Sequence, residues 1–305
     1  GFEYDPISEI MVTVGAMEGL YLALLSITNP GDEYIIPAPY YVNYGQMVHM
    51  CGGVPVIVDK PAEEPLTFRI EDIESAITPK TKAIIINTPS NPSGKIIPWN
   101  KIEKLAELAK KHDLYVISDE VYKCLIYGEN KFKSIVSIEG MRERTILTNS
   151  LSKEFCMTGW RIGYVLANKE IVANMTKLQE NVCACAPLPS QYAAIEALSS
   201  KEDYSANMKS IFSERRDALV SGINSIKGLS CTPPDATFYL MVDISKTGLK
   251  SFDFACKLLE SVHLAVVPGV TYGQSCDNYV RIAFTKNVDV IKQGVERIAT
   301  FMSQF

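Results

Sequence analysis

Ser150-Leu151-Ser152-Lys153-Glu154-Phe155-Cys156-Met157-Thr158-Gly159-Trp160-Arg161-Ile162-Gly163-Tyr164 carries more chemistry than any other stretch of this chain. A lysine stands among small hydroxyls, an arginine follows eight positions later, and the run leads into the apolar segment Gly163–Leu166. A lysine held partly out of water loses basicity, and its neutral amine can attack an aldehyde. The commoner fate of a lysine is a solvated loop. Lys153 alone does not decide between the two; the surrounding chain does.

Outward from this stretch, short apolar runs alternate with helical patterns. Ile10–Val14, Tyr34–Ile36, Val54–Val58, Ala83–Asn87, Leu114–Ile117, Thr145–Leu147 and Gly163–Leu166 read as strands. Over 98–112, after Pro98, Ile102, Leu105, Ala106, Leu108 and Ala109 recur at helical spacing. The alternation predicts an α/β fold, a mainly parallel seven-stranded sheet between layers of helices. Ligands of such sheets bind at the C-terminal ends of the strands.

Past residue 170 the pattern changes. Helices are predicted over 170–182 and 190–226, the second broken near Ser199-Ser200, then over 251–262 and 287–303. Strands are predicted at Phe238–Val242, Ala265–Val267 and Tyr279–Phe284. Ile291, Val295, Ile298, Ala299 and Met302 form the apolar face expected of the last helix. The expected organisation is a large domain, 1–215, ending in a long interdomain helix, and a smaller C-terminal α+β domain, 216–305.

The chain has 305 residues, 47% hydrophobic and 21% charged, which suits a soluble globular protein of one large or two ordinary domains. Net charge is −5 with no run of basic residues, so nucleic acid is not an expected partner. No apolar stretch is long enough to cross a bilayer, and the first residues do not read as a signal peptide. Eight scattered cysteines without a C-x-x-C pair, and three histidines, predict no metal site and reduced thiols in a cytoplasmic protein.

Several other segments put polar groups at the ends of apolar strands. Val14-Gly15-Ala16-Met17-Glu18-Gly19 follows a strand and opens a helix, a place where backbone N–H groups can meet an anion, or an ordinary tight turn. Pro39-Tyr40-Tyr41-Val42-Asn43-Tyr44 offers rings for stacking or for the core, and core packing is preferred for Tyr40 and Tyr44. Asn87-Thr88-Pro89-Ser90-Asn91-Pro92-Ser93-Gly94 is turn chemistry. Asp119, in Ser118-Asp119-Glu120-Val121-Tyr122, can face a cationic ligand or cap a helix. Arg161 suits a phosphate or a surface ion pair. Arg281 interrupts the apolar run Tyr279–Phe284, so it needs a partner or a solvent-facing position.

In chain order these segments resemble the class I/II, fold type I aminotransferases, which use pyridoxal 5′-phosphate (PLP). The lysine segment is similar to that family's cofactor-lysine motif, nearest its aspartate and aromatic branch. The Asn91 loop resembles N-P-x-N-P-[ST]-G, and Pro268-Gly269-Val270-Thr271-Tyr272-Gly273 resembles P-G-x-x-[FY]-G. The resemblance implies that Lys153 bonds the cofactor and moves the substrate proton. It implies that Gly15, Ala16, Met17, Ser150, Ser152 and Arg161 hold the phosphate, and that Tyr41 stacks on the ring. Asp119 would face the ring nitrogen, and Asn91 and Tyr122 the phenolic oxygen. Arg281, with Asn91, would grip the substrate carboxylate.

The implied activity is amino-group transfer between an α-amino acid and a 2-oxo acid by a homodimer. A C–S β-lyase and a non-catalytic use of the fold are the alternatives. Met17 stands where some acid-specific members have a lysine, which argues against strict aspartate specificity. Family members also carry an N-terminal portion ahead of the phosphate turn, so the chain as it stands is expected to be an impaired catalyst.

Overall fold

The computed structural model describes residues 3–59 and 66–304. The larger part runs β1 Ile10–Thr13, α1 Gly15–Ile27, β2 Glu33–Pro37, α2 Asn43–Met50, β3 Val54–Val58, α3 Ile70–Ser75, β4 Thr81–Asn87, α4 Trp99–Lys111, β5 Tyr115–Asp119, β6 Thr145–Ser150, α5 Leu151–Glu154 and β7 Gly163–Leu166. Then follow α6 Lys169–Val182, α7 Leu188–Ser199, α8 Tyr204–Asn224, β8 Tyr239–Asp243, α9 Ser251–Val262, β9 Val267–Pro268, β10 Tyr279–Ala283 and α10 Val288–Met302. All seven expected strands of the large sheet form, with ends displaced by at most three residues.

Their order is β1-β7-β6-β5-β4-β2-β3. β2 to β6 run parallel, whereas β7 pairs antiparallel with both β6 and β1. Side chains on a strand alternate between faces, so each apolar run feeds two cores. Ala83 and Ile85 of β4 pack with Tyr34, Ile117, Ile146 and the inner faces of α1 and α6. Ile84 and Ile86 pack with Ile35, Val116 and α4, whose Ile102, Leu105 and Ala109 are buried there. That double burial explains why these strands are continuously apolar.

The reversal of β7 positions the site. Its first residue, Gly163, pairs with the ends of two other strands, Thr13 of β1 and Ser150 of β6. Asn87 pairs with Asp119 at the same sheet edge. The loops after β1, β4, β5 and β6, and the loop before β7, therefore converge.

The second sheet is antiparallel, in the order β8-β10-β9. It shares a core with α8, α9 and α10 that includes Leu219, Leu240, Phe254, Val280 and Phe301. Two expectations need correction. β9 spans Val267–Pro268, not Ala265–Val267. Ala299 is exposed, and Phe301 takes the inward place on α10 against Phe254, ring centroids 5.2 Å apart; the larger apolar side chain has more to gain from burial. Among the described residues no helix is long and apolar enough to cross a membrane.

Candidate active site

α1 starts at Gly15 with φ +72°, a left-handed conformation that favours glycine. A Cβ at Gly15 would also overlap the Arg161 guanidinium. Arg161 donates to the carbonyls of Thr158 at 3.0 Å and Val14 at 3.5 Å. Among the described residues no carboxylate forms an ion pair with it. A guanidinium without counter-charge beside a helix N-terminus is a place for an anion. Glu18 braces the turn, accepting from Val14 N–H at 2.6 Å and from Gln179 Nε2 at 2.9 Å.

Ser150 ends β6 and caps α5, its Oγ accepting from Ser152 N–H at 3.0 Å. This short helix presents Lys153, whose Nζ lies 5.3 Å from the Phe238 ring centroid and 5.9 Å from that of Tyr122. Burial first, and the Arg161 charge second, lower the Lys153 pKa from its ordinary value. The Cys156 thiol pulls the other way without reversing the shift.

Asp119 is buried at the end of β5. A turn follows it, not the helix that would have made it a cap, and Tyr122 lies in that turn. Burial pushes the Asp119 carboxyl up to about 6, against the opposing pull of hydrogen bonds from Tyr44 and from Val121 N–H. The Tyr44 hydroxyl donates to Asp119 Oδ2. Tyr44 is thus a core residue, as its sequence suggests, and also a partner of the site. Tyr122, buried, donates to the Tyr239 hydroxyl at 3.2 Å.

Asn87 ties the β4 loop to β5. Its Nδ2 donates to the Asp119 carbonyl at 3.0 Å, and its Oδ1 accepts from Asn91 N–H at 2.7 Å. Asn91 Oδ1 in turn accepts from Arg281 Nη1 at 2.8 Å. Arg281 faces the site, not solvent: its guanidinium carbon lies 4.3 Å from the Tyr239 ring centroid and 5.2 Å from that of Tyr272, in the Pro268–Gly273 turn. Its Nε is buried without a hydrogen-bond partner among the described residues. A buried donor left unpaired is costly, and a carboxylate would satisfy it.

Ala16, Met17, Tyr41, Asn91, Asp119, Tyr122, Ser150, Ser152, Lys153 and Arg161 line one cleft open to solvent. Gly15 lies behind Arg161, and Arg281 adjoins the cleft through Asn91 and Tyr239. Tyr41 meets Tyr44 edge-to-face, centroids 5.5 Å apart, and its hydroxyl lies 3.8 Å from Met17 Sδ. Leu20, Asn87, Val121, Thr158 and Tyr239 also line the cleft and were not assigned roles from sequence. Asn87 was findable, since it ends an apolar strand as Asp119 does. Tyr44 and Tyr239 were not, because an aromatic residue in an apolar run reads as core.

Residues 1–298 match the family described as "Aminotransferase class I and II". The aspartate aminotransferase of Bacillus sp. (strain YM-2) is 39% identical over 306 residues, 98% of this chain and 77% of that protein. Aromatic-amino-acid aminotransferase 2 of Thermococcus litoralis is 35% identical over 306 residues, 100% of this chain and 78% of that protein. The structure of the aromatic aminotransferase from Pyrococcus horikoshii OT3 superposes with a TM-score of 0.96 at 36% identity, over 100% of this chain and 81% of that one. The chain belongs to the class I and II aminotransferases, a PLP-dependent family with this seven-stranded fold. It is an enzyme of amino-group transfer, and the lyase alternative has no counterpart among these relatives.

Proposed function

We propose that this aminotransferase binds PLP through Lys153 and exchanges an amino group between an α-amino acid and a 2-oxo acid in the cleft. One observation carries the reading. An amine of lowered basicity, a buried carboxylate and two guanidiniums that have no carboxylate partner among the described residues converge there: Lys153, Asp119, Arg161 and Arg281.

The residues fit the cofactor group by group. Arg161, the start of α1 at Gly15, Ala16 and Met17, and the hydroxyls of Ser150 and Ser152 suit a phosphate. Asp119 suits a cationic ring nitrogen, Tyr41 offers a ring face, and Asn91 and Tyr122 offer donors to a phenolic oxygen. When bound, PLP supplies an aldehyde that bonds an amine and a ring that draws electrons from the neighbouring carbon.

The chain's own residues do the rest. Arg281 grips the substrate α-carboxylate and so orients the Cα–H bond. Lys153 Nζ takes the Cα proton as general base and gives a proton back as general acid. Its lowered basicity keeps more of the amine neutral for that exchange. Asp119 supplies the negative charge that favours a protonated ring nitrogen. Met17 gives a distal carboxylate no cation, which favours a substrate range wider than aspartate.

The cofactor unit is read as 1–215 and the smaller unit, which carries Arg281, as 216–305, the two meeting within α8. The working form is read as a cytoplasmic homodimer. With PLP, an L-amino acid and a second 2-oxo acid, the protein should release the 2-oxo acid derived from the first substrate without net ammonia. Ammonia and pyruvate from a cysteine conjugate, with no amino transfer, would replace this reading with the C–S lyase.

A further inference from the structure

Tyr239 is where the carboxylate side of the site touches the cofactor side. It opens β8, beside the strand that carries Arg281: Tyr239 pairs with Ala283, and Met241 with Arg281. Its ring lies against the Arg281 guanidinium at 4.3 Å, and its hydroxyl meets that of Tyr122 at 3.2 Å. The backbone leading to Tyr239 is stitched to both loops that frame the cleft. Ala236 N–H donates to the Gly94 carbonyl at 2.9 Å, and Thr237 N–H to the Leu125 carbonyl at 2.8 Å. A Cβ at Gly94 would stand 3.0 Å from the Tyr239 carbonyl oxygen, so loop and strand fit closely.

We propose that Tyr239 is a positioning residue with two separable parts: its ring sets the plane of Arg281 for an α-carboxylate, and its hydroxyl steadies the Tyr122 hydroxyl in the cleft. The proposal rests on Arg281 being the carboxylate clamp. A cation over a ring face is held by the ring's quadrupole, and Arg281, with its Nε unpaired, has only Asn91 as a hydrogen-bonding restraint among the described residues. A phenol both donates and accepts. Tyr122 now donates to Tyr239, and when Tyr122 gives its proton to another group, Tyr239 can donate to the Tyr122 oxygen instead.

The test uses the PLP-loaded protein and two readouts. The first is the affinity for 3-phenylpropanoate, an unreactive monocarboxylate, by calorimetry. The second is kcat together with the pH midpoint of the cofactor absorbance. Tyr239→Leu removes both parts and should weaken the carboxylate about tenfold, the scale of a partly desolvated cation–ring contact. Tyr239→Phe keeps the ring and should bind it within about twofold of the parent. The Phe variant should nonetheless lose roughly threefold to tenfold in kcat, the scale of one hydrogen bond, and shift the absorbance midpoint. Parental carboxylate affinity in Tyr239→Leu would overturn the ring's role. Parental kcat and midpoint in Tyr239→Phe would overturn that of the hydroxyl. Arg281→Ala separates the levels: if it leaves the carboxylate affinity unchanged, the clamp reading itself falls. If it weakens the carboxylate while Tyr239→Leu does not, only the role of the Tyr239 ring falls.

Discussion

The Tyr44 hydroxyl donates to Asp119 Oδ2 at 2.7 Å, joining residues 75 positions apart in the chain. Val121 N–H donates to the other carboxylate oxygen at 3.3 Å. Burial outweighs both bonds and keeps the Asp119 carboxyl at about 6. A carboxylate this reluctant to ionise gains most when a cation is placed beside it.

That balance predicts a pH effect in the cofactor-free protein. With a folded pKa of about 6 against 3.8 for the ordinary group, Asp119 costs the folded state nothing below the lower value. The cost grows as pH rises through the window and reaches about 3 kcal/mol above it. Unfolding in urea should therefore show Asp119→Asn gaining on the parent between about pH 4 and pH 7. The same variant should bind PLP more weakly and lose most turnover. A stability difference that does not change with pH would mean the carboxyl ionises as it does in water.

Lys153 is the expected attachment point. Reduction of the PLP-loaded protein with borohydride, then peptide mapping, should place the pyridoxyl group on Lys153. A label on another lysine, with Lys153 unmodified, would remove the basis of the proposed chemistry.

Arg281→Ala should weaken amino acids by on the order of 2–5 kcal/mol in kcat/KM. Simple amines without a carboxylate should be affected far less. Equal losses for both would show that Arg281 supports the fold rather than the substrate.

Gly15→Ala sets a side chain against Arg161 at a left-handed φ of +72°. The strained turn should cost on the order of 1–3 kcal/mol. Affinity for PLP should fall, while pyridoxal, which lacks the phosphate, should bind as it does to the parent. A parallel loss for both would place the effect outside the phosphate turn.

Much of this protein was legible in its sequence, for local reasons. Strands covered on both faces are continuously apolar, so Ala83–Ile86 and its neighbours announced a buried parallel sheet. Polar residues at the ends of such runs have few other uses, which is why Asn91, Asp119 and Lys153 stood out, and why Arg281 within an apolar strand drew attention. What sequence alone could not decide is which distant groups meet. Arg161 reaches Gly15 because β7 runs backwards between β1 and β6. Arg281 reaches Asn91 across 190 positions because a second sheet is laid beside the first. Tyr44 and Tyr239 carry rings that any core would accept, and only the packed structure gives their hydroxyls and ring faces partners. Periodicity encodes which face of an element is buried; it does not encode what stands opposite, because that depends on every other element's packing at once.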